Sequence, residues 1–214
     1  MGYYPVFLEL NGRRCLVIGG GVVAEGKVRG LLAAQADVTV IAPELTAALA
    51  TLLDDARIKH TRREYAEGDL EGYELCFAAT DDGAVNSRVA AEGRQLGVWV
   101  NAADDPRYCD FILPSVVRQG DVVVAASTGS SSPALARRLR EELTAFLSED
   151  YAPLAQLLAS VRNELKARSL RVDPETWSKA IDPRLRALVA QGRIEEARDH
   201  LIQGLGITAG RNEV

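Results

Sequence analysis

The residues whose spacing points most directly to chemistry are the small residues of 19–24, which read G-x-G-x-x-A. This is an accepted variant of the dinucleotide-binding fingerprint. Gly19 would allow a tight turn, Gly21 would let the backbone approach a pyrophosphate, and Ala24 would permit close packing of a helix against a strand. Amide groups at the start of that helix would then bind phosphate. We predict a nucleotide cofactor at this turn; a glycine-rich turn that holds no ligand is the alternative.

An acidic residue, Glu44, follows the motif slightly later than the distance of about 20 residues that is usual in such a unit. An acid at the end of the second strand usually binds the adenosine ribose hydroxyls and favours NAD over NADP. No arginine follows immediately to hold a 2′-phosphate. The pattern therefore favours NAD, with Glu44 at the ribose. A solvated loop acid after Pro43 is the alternative.

Polar residues also follow the next two predicted strands of the same half. Ligands of open α/β sheets collect at the carboxyl ends of the strands, so Thr80 and Asn101 are expected at the cofactor crevice. A helix cap is the alternative for Thr80. Asp104 and Asp105 come next, and one of them could act as a base, because like charges and burial raise a carboxyl pKa. An Asx turn before a proline is the alternative for this pair.

A hydroxyl-rich loop precedes the first helix of the second half and contains Ser127, Thr128 and Ser130. Hydroxyls beside a helix N-terminus can bind an anion. Four basic residues lie on this helix or shortly before the loop: Arg118, Arg137, Arg138 and Arg140. In a chain of net charge −5, this local basic region favours a ligand with several carboxylates. A capped turn beside a solvated basic face is the alternative.

Composition excludes several other kinds of chemistry. The acidic balance argues against nucleic-acid binding by overall charge. The three cysteines lie far apart and form no CxxC pair, which argues against disulfides and against a thiolate zinc site. Their number and spacing fit a protein of the reducing cytoplasm. With only two histidines, a multi-histidine metal site is nearly excluded. No tyrosine has a lysine four residues later, as a short-chain dehydrogenase would require. No apolar run is long enough to span a membrane, and the N-terminus does not resemble a signal peptide.

The elements that must position these residues change in kind along the chain. Short β-rich runs are expected at 14–18, 38–41, 75–79, 98–100 and 122–125, with helical patterns at 22–35 and 84–96 between them. This alternation predicts an α/β fold with a Rossmann-type parallel sheet. After residue 132 the pattern is all-helical, with helices expected from 133 and over 152–168, 174–180, 183–191 and 194–203. We expect this helical tail to pack on the sheet domain or on a partner subunit.

In their order along the chain, these motifs resemble those of the precorrin-2 dehydrogenase family, which includes the sirohydrochlorin-forming part of siroheme synthase. The matching segments are PVFL at 5–8, VIGGGVVAEGK at 17–27, AATDDGAVN at 78–86, NAADD at 101–105, FILPS at 111–115 and ASTGSSSPALARRLR at 126–140. The resemblance covers about 1–147, and the helical tail matches more loosely. The FILPS segment and the SPALAR part of the last segment are far more specific than the glycine motif.

The resemblance implies an NAD-dependent oxidation in siroheme biosynthesis. Precorrin-2, a tetrapyrrole with eight carboxylates, would lose a hydride to NAD+ and a proton to a base, giving sirohydrochlorin. The family's key acid corresponds to Asp104, as proton acceptor or orienting group. The cofactor would also contact Val22, Val23, Pro43 and Glu44. Thr128 replaces one serine of the family's hydroxyl loop. The substrate would meet Ser127, Thr128, Ser130, Arg118 and Arg138.

The resemblance also implies an organisation and leaves alternatives open. We expect an NAD-binding domain at 1–113, a dimerising hairpin-and-helix segment at 114–150 and a helical domain at 151–214. Residues from about 114 to 147 would be exchanged between the subunits of a homodimer. The 214 residues leave no room for the methyltransferase of longer siroheme synthases, so we expect a stand-alone form. Some members also insert Fe2+ into sirohydrochlorin, and that activity stays open, although no resident metal site is expected. A non-catalytic NAD-binding regulatory module is the alternative function.

Overall fold

Five parallel strands form the sheet that carries the glycine turn. The computed structural model describes residues 2–102 and 105–207, and the chain divides into two units between Leu113 and Pro114. In the first unit the strands are β1 (Arg14–Ile18), β2 (Asp37–Ile41), β3 (Lys59–Thr61), β4 (Leu75–Ala78) and β5 (Trp99–Ala102), in the spatial order β3-β2-β1-β4-β5. Since β1 lies in the centre, the turn after it stands at the middle of the sheet's carboxyl edge.

Helices cover both faces of this sheet: α1 (Val22–Ala33), α2 (Ala47–Asp54) and α3 (Gly83–Leu96), followed by a short 3-10 helix at Pro106–Tyr108. The side chains of successive residues of β1 point to opposite faces of the sheet, as the pleat of a strand requires. Val17 packs in one core cluster with Val28 of α1, whereas Leu16 packs in the other with Val89 of α3. Burial on both faces explains the nearly continuous apolar strands.

The second unit begins with a β-hairpin. Its strands β6 (Ser115–Gln119) and β7 (Val122–Ala126) pair antiparallel and form a sheet of their own. The run 122–125 is therefore a strand of the hairpin expected within 114–150, and it does not belong to the parallel sheet with which its pattern was grouped. Gly120 has a φ of +56°, which allows the two-residue connection that turns the chain back onto β6.

Helices make up the rest of this unit: α4 (Pro133–Phe146), α5 (Tyr151–Ala167), α6 (Pro174–Ala180), α7 (Pro183–Ala190) and α8 (Ile194–Gly204). Asp173 and Asp182 cap α6 and α7, each directly before a proline. The last four helices enclose their own core, which includes Leu157, Leu185 and Leu201. By contrast, none of the residues of α4 is classed as buried within the described chain.

Among the described residues, α2, β3 and the short 3-10 helix were absent from the sequence prediction. The edge strand β3 is only three residues long and reads Lys-His-Thr, so it lacks the apolar run that identified the other strands. Over residues 2–102 and 105–207, we find no helix with the length and apolar character needed to cross a membrane. Within the same ranges, no three metal-ligating side chains are grouped.

Candidate functional site

Gly19 occupies the turn after β1 for two steric reasons. Its φ is +118°, a conformation that side chains rarely adopt. A β-carbon there would also lie 2.3 Å from the carbonyl oxygen of Ala79, just beyond β4. The amide of Gly19 donates to the carbonyl of Ile41 at 2.9 Å, at the end of β2. Gly19 therefore brings the ends of three adjacent strands together.

Gly20 is equally constrained, although the sequence motif assigned it no role. A β-carbon on Gly20 would come 1.9 Å from the carbonyl oxygen of Glu44. The carbonyl of Gly20 also accepts a hydrogen bond from the amide of Thr46 at 3.0 Å. The glycine turn is thus bonded to the loop that carries the acid after β2.

The N-terminus of α1 is open to a ligand. Gly21 is the N-cap residue, and a β-carbon there would meet no described atom within 4 Å. Among the described residues no side chain caps this helix, and Val22 and Val23 are 77% and 51% exposed. The first-turn amides of a helix need acceptors, and an anionic group can supply them. The glycine turn and this helix end therefore fit the pyrophosphate of a dinucleotide.

The loop after β2 exposes both residues assigned to the ribose. Pro43 and Glu44 have exposed side chains, and within the described chain Glu44 makes no ion pair. The next strand, β3, ends beside this loop, and Arg62 donates from Nε to the carbonyl of Pro43 at 3.3 Å. No arginine follows β2 immediately along the chain, but Arg62 comes beside this loop from the end of β3.

Thr80 lies beyond the end of β4, and its hydroxyl is engaged locally. It donates to Oδ1 of Asn86 at 2.8 Å, while the amide nitrogen of Asn86 donates back to the carbonyl of Thr80 at 3.0 Å. Asp82 caps α3 by accepting from the amides of Ala84 and Val85. These hydrogen bonds fix the turn between β4 and α3. The backbone of this turn lies beside the glycine turn.

Asn101 in β5 is buried, with 7% of its surface exposed. Its amide nitrogen donates to the carbonyl of Phe111 at 2.8 Å and so ties β5 to the chain that follows. Asp104, the residue expected to handle the proton, lies outside the described residues, as does Ala103. The structure therefore describes the strand that leads to Asp104 but not the acid itself.

Asp105 forms the Asx turn that was the alternative for the acidic pair. It accepts from the amide of Arg107 at 2.9 Å and binds the guanidinium of the same residue at 2.6 Å. The hydrogen bonds from Arg107 lower the pKa of Asp105, whereas a base raised by like charge would shift upward. Asp105 is thus held ionised as a turn residue.

Lys27 is a cation at this end of the sheet that sequence reasoning did not single out, although it lies within the matched segment 17–27. Its ammonium group lies 5.2 Å from the ring centre of Phe77, which pairs in register with Asn101 on β5. Burial raises the pKa of the Cys109 thiol, and the charge of Lys27 partly opposes that shift. Cys109 in turn contacts the carbonyl of Ala102 at 3.1 Å, so Lys27 contributes positive charge near the end of β5.

The hydroxyl loop belongs to the second unit and is ordered by its own side chains. Thr128 accepts from the amide of Ser132 at 3.2 Å, and Ser127 accepts from the amide of Gly129 at 3.1 Å. Ser132 caps α4 through the amide of Leu135. Ser127 and Ser130 remain exposed. The loop therefore presents hydroxyls on a fixed backbone at the start of a helix.

The four arginines of the basic region are not equivalent. Arg138 donates to Glu142 on the same helix at 2.8 Å, so its charge is already partnered. The side chains of Arg118, Arg137 and Arg140 are exposed and form no ion pair within residues 105–207. The positive charge available to a ligand comes mainly from these three.

Comparison with known proteins gives matches of different extent. A family model described as "Putative NAD(P)-binding" matches residues 6–115. The siroheme synthase of Nitrosococcus oceani is 40% identical over 203 residues, which cover 94% of this chain and 43% of that protein. That of Methylococcus capsulatus is 38% identical over 211 residues, 98% of this chain and 44% of the relative. The chain thus spans less than half the length of these relatives.

A solved structure matches nearly end to end. The precorrin-2 dehydrogenase SirC has a TM-score of 0.76 to this chain and 30% sequence identity. The match covers 92% of this chain and 99% of SirC. The similarity therefore includes the NAD(P)-binding unit and most of the helical unit.

Proposed function

Because this chain belongs to the precorrin-2 dehydrogenase family, we propose that it oxidises precorrin-2 to sirohydrochlorin with NAD+ as hydride acceptor. The observation that carries the proposal is the cradle formed by Gly19, Gly20 and the open N-terminus of α1, on a chain that matches SirC over 92% of its length. The reaction converts precorrin-2 and NAD+ into sirohydrochlorin, NADH and a proton.

The cofactor would be held at the carboxyl edge of the sheet. Gly19 makes the tight turn, Gly21 leaves space for the pyrophosphate, and the amides of Val22 and Val23 lie at the helix end that would bind it. We assign Pro43 and Glu44 to the adenosine ribose, and Thr80 and Asn101 to the nicotinamide side, where their hydrogen bonds fix the ends of β4 and β5. Bound NAD+ supplies the electron acceptor, which no side chain of the protein can replace.

Asp104 would accept the proton that leaves the macrocycle or orient the reacting carbon. We assign this role to Asp104 rather than Asp105 because Asp105 is occupied by the turn and by Arg107. A carboxylate is sufficient, since the extended conjugation of the product favours oxidation. Lys27 contributes positive charge near the end of β5, which would help an acid that follows this strand to stay ionised.

The substrate's carboxylates would bind to the second unit. We assign Ser127 and Ser130 as hydrogen-bond donors, and Arg118 and Arg138 as cationic partners. We assign Thr128 to the same loop, where its hydroxyl donates to the carbonyl of Ser132 at 3.1 Å and fixes the backbone. Arg118 is exposed on β6 without an ion pair in the described chain, which supports its assignment more strongly than that of Arg138. Guanidinium groups suit carboxylates because each can donate two parallel hydrogen bonds.

We propose that the protein is a homodimer in which the segment from about 114 to 147 is exchanged between the subunits. Leu135, Leu139, Leu143 and Phe146 form an apolar stripe on α4. This stripe supports the assembly, since Leu135 is 49% and Phe146 is 68% exposed. Exposed apolar faces of this kind often mark association surfaces. We further propose a cytoplasmic location, which the three free thiols support.

An anaerobic assay tests the proposed reaction. Purified protein is mixed with precorrin-2 and NAD+, and the absorbance of sirohydrochlorin and NADH is followed; Fe2+ is then added to test for siroheme formation as a second activity. We expect stoichiometric sirohydrochlorin and NADH. Binding of NAD+ without turnover would instead favour a non-catalytic regulatory module.

A further inference from the structure

Arg62 stands beside the loop that we assign to the adenosine ribose. We infer that Arg62 is a specificity residue for the 2′ position of that ribose and that it allows this chain to accept NADP+ as well as NAD+. The inference rests on the proposed function, since it concerns the same cofactor site. The sequence shows no arginine immediately after Glu44, whereas the structure brings Arg62 beside this loop from the end of β3.

The position of Arg62 follows from the pairing of β3 with β2. The two strands are parallel, and Thr61 is in register with Ile41. The amide of Ala42 donates to the carbonyl of Thr61 at 3.3 Å, so the ends of the strands stay together. Arg62 follows β3 as Ala42 and Pro43 follow β2. Both segments therefore emerge at the carboxyl edge, where cofactors bind in such sheets.

One hydrogen bond anchors the Arg62 side chain and leaves its outer nitrogens available. The bond runs from Nε to the carbonyl of Pro43 at 3.3 Å. Arg62 is exposed, and in the described residues no carboxylate pairs with it. Its neighbour Arg63 differs, because Asp69 holds both of its terminal nitrogens at 2.7 and 2.6 Å. Of these two adjacent cations, only Arg62 keeps a free guanidinium edge.

The chemistry of this edge matches a phosphate. Two terminal N–H groups of a guanidinium can bind a phosphate in parallel, and such charge-assisted bonds are stronger than neutral ones. Glu44 alone would repel a 2′-phosphate, because both groups are negative. A cation held on the neighbouring backbone carbonyl offsets this repulsion. The loop therefore offers an acid for a free ribose hydroxyl and an arginine for its phosphorylated form.

Direct binding of two small probes tests the inference without the dehydrogenase reaction. Calorimetry on the full chain measures the Kd of 5′-AMP and of adenosine 2′,5′-bisphosphate, and then of NAD+ and NADP+. The variants are Arg62→Gln, Arg62→Lys and the control Arg57→Gln. Arg57 is exposed before the start of β3, at the opposite end of the strand, so its replacement removes the same charge away from the ribose loop.

For the wild type and Arg57→Gln we expect the bisphosphate to bind about 10-fold more tightly than 5′-AMP. Arg62→Gln should lose roughly 10-fold in affinity for the bisphosphate and for NADP+ while its affinities for 5′-AMP and NAD+ change less than about twofold. Arg62→Lys should retain an intermediate preference for the 2′-phosphate, because lysine keeps the positive charge but lacks the two parallel N–H donors of a guanidinium. The preference should also shrink at high salt.

Two results would overturn the inference. In the first, the wild type binds 5′-AMP and NAD+ but has no higher affinity for adenosine 2′,5′-bisphosphate than for 5′-AMP. The other is an Arg62→Gln variant that retains the wild-type preference. Both results leave the proposed function standing, because NAD+ still binds. Failure of the wild type to bind any of the four nucleotides would overturn the proposed function and this inference together.

Discussion

The α-carbon of Gly20 lies against the backbone carbonyl of Glu44, so closely that a β-carbon would come 1.9 Å from the carbonyl oxygen. This contact fixes the distance between the glycine turn and the loop after β2. We assign the glycine turn to the pyrophosphate and the loop after β2 to the adenosine ribose. The distance between them must therefore match the distance between these two groups of the cofactor. The middle glycine of the motif therefore has a positional role that the fingerprint does not specify.

Gly20→Ala should disrupt this spacing. A β-carbon would force the Glu44 loop outward, so we expect at least about a 10-fold weaker affinity for NAD+ and about 1–3 kcal/mol lower stability. Gly30→Ala in α1 is the matched control, because a β-carbon there meets nothing within 4 Å. This control variant should keep its affinity for NAD+, and its free energy of unfolding should rise by up to about 1 kcal/mol. Calorimetry and denaturant unfolding measure both quantities; normal NAD+ binding by Gly20→Ala would contradict the argument.

Asp104→Asn should separate catalysis from cofactor binding. We expect kcat for sirohydrochlorin formation to fall by about 100-fold or more, because an amide cannot accept the proton. The Kd of NAD+ should change less than about twofold, since glycines and backbone amides dominate the proposed binding site. Asp105→Asn is the control and should affect kcat far less, because Asp105 holds a turn. Comparable losses of kcat in both variants would mean that the assignment of Asp104 is wrong.

Arg118→Gln should weaken substrate binding specifically. We expect the KM for precorrin-2 to rise about 3- to 10-fold, as one charge-assisted contact to a carboxylate is lost. Arg138→Gln should have a smaller effect in the same direction, because Glu142 already pairs with Arg138. Steady-state kinetics and the Kd of NAD+ distinguish substrate from cofactor effects. If neither variant changes KM, the basic region is not part of the substrate site.

Leu139→Glu should turn the proposed homodimer into a monomer. Leu139 lies in the middle of the apolar stripe of α4, and a carboxylate there would have to lose its hydration in the interface. Leu170→Glu is the control, since Leu170 is an exposed leucine, at 41%, that lies outside α4 and the hairpin. Sedimentation velocity measures the mass in solution. A wild type that sediments as a monomer would exclude the assembly directly.

Asp150→Asn should destabilise the helical unit in a pH-dependent way. Asp150 is nearly buried and accepts from Ser148 and, at 3.0 Å, from Arg186. These hydrogen bonds lower its pKa in the folded state below the unfolded value. Its contribution is therefore complete above the unfolded pKa and is lost as the pH falls through the folded pKa.

We expect Asp150→Asn to lower the free energy of unfolding by about 1–3 kcal/mol at pH 7 and by clearly less near pH 3. The free energy of unfolding in urea, measured at both pH values, checks this difference. Asp199→Asn on α8 is the control, because Asp199 is exposed and makes no ion pair within the described chain. An equal cost at both pH values would show that Asp150 does not stabilise the unit through its charge.

Much of the fold was predictable because local patterns decide it. The strand at Arg14–Ile18 and the helix at Pro174–Ala180 agree with their predicted bounds, since a buried apolar run and a capped proline start are local signals. Lys59–Thr61 has no such signal, because its strand conformation comes from pairing with β2. The direction of Val122–Ala126 also depends on its partner strand, so the same apolar run did not distinguish a parallel sheet from a hairpin.

The sequence by itself determined the type of cofactor site, because a glycine fingerprint between strand and helix is a contiguous motif whose function depends on backbone geometry. It also determined the family, through segments such as FILPS that are short and specific. Only the tertiary structure decided which distant groups meet. Gly20 meets Glu44, and Arg62 meets Pro43, because β1, β2 and β3 are adjacent in the sheet although the connections between them are long. Side-chain partners of this kind depend on strand order, which no local stretch of sequence contains.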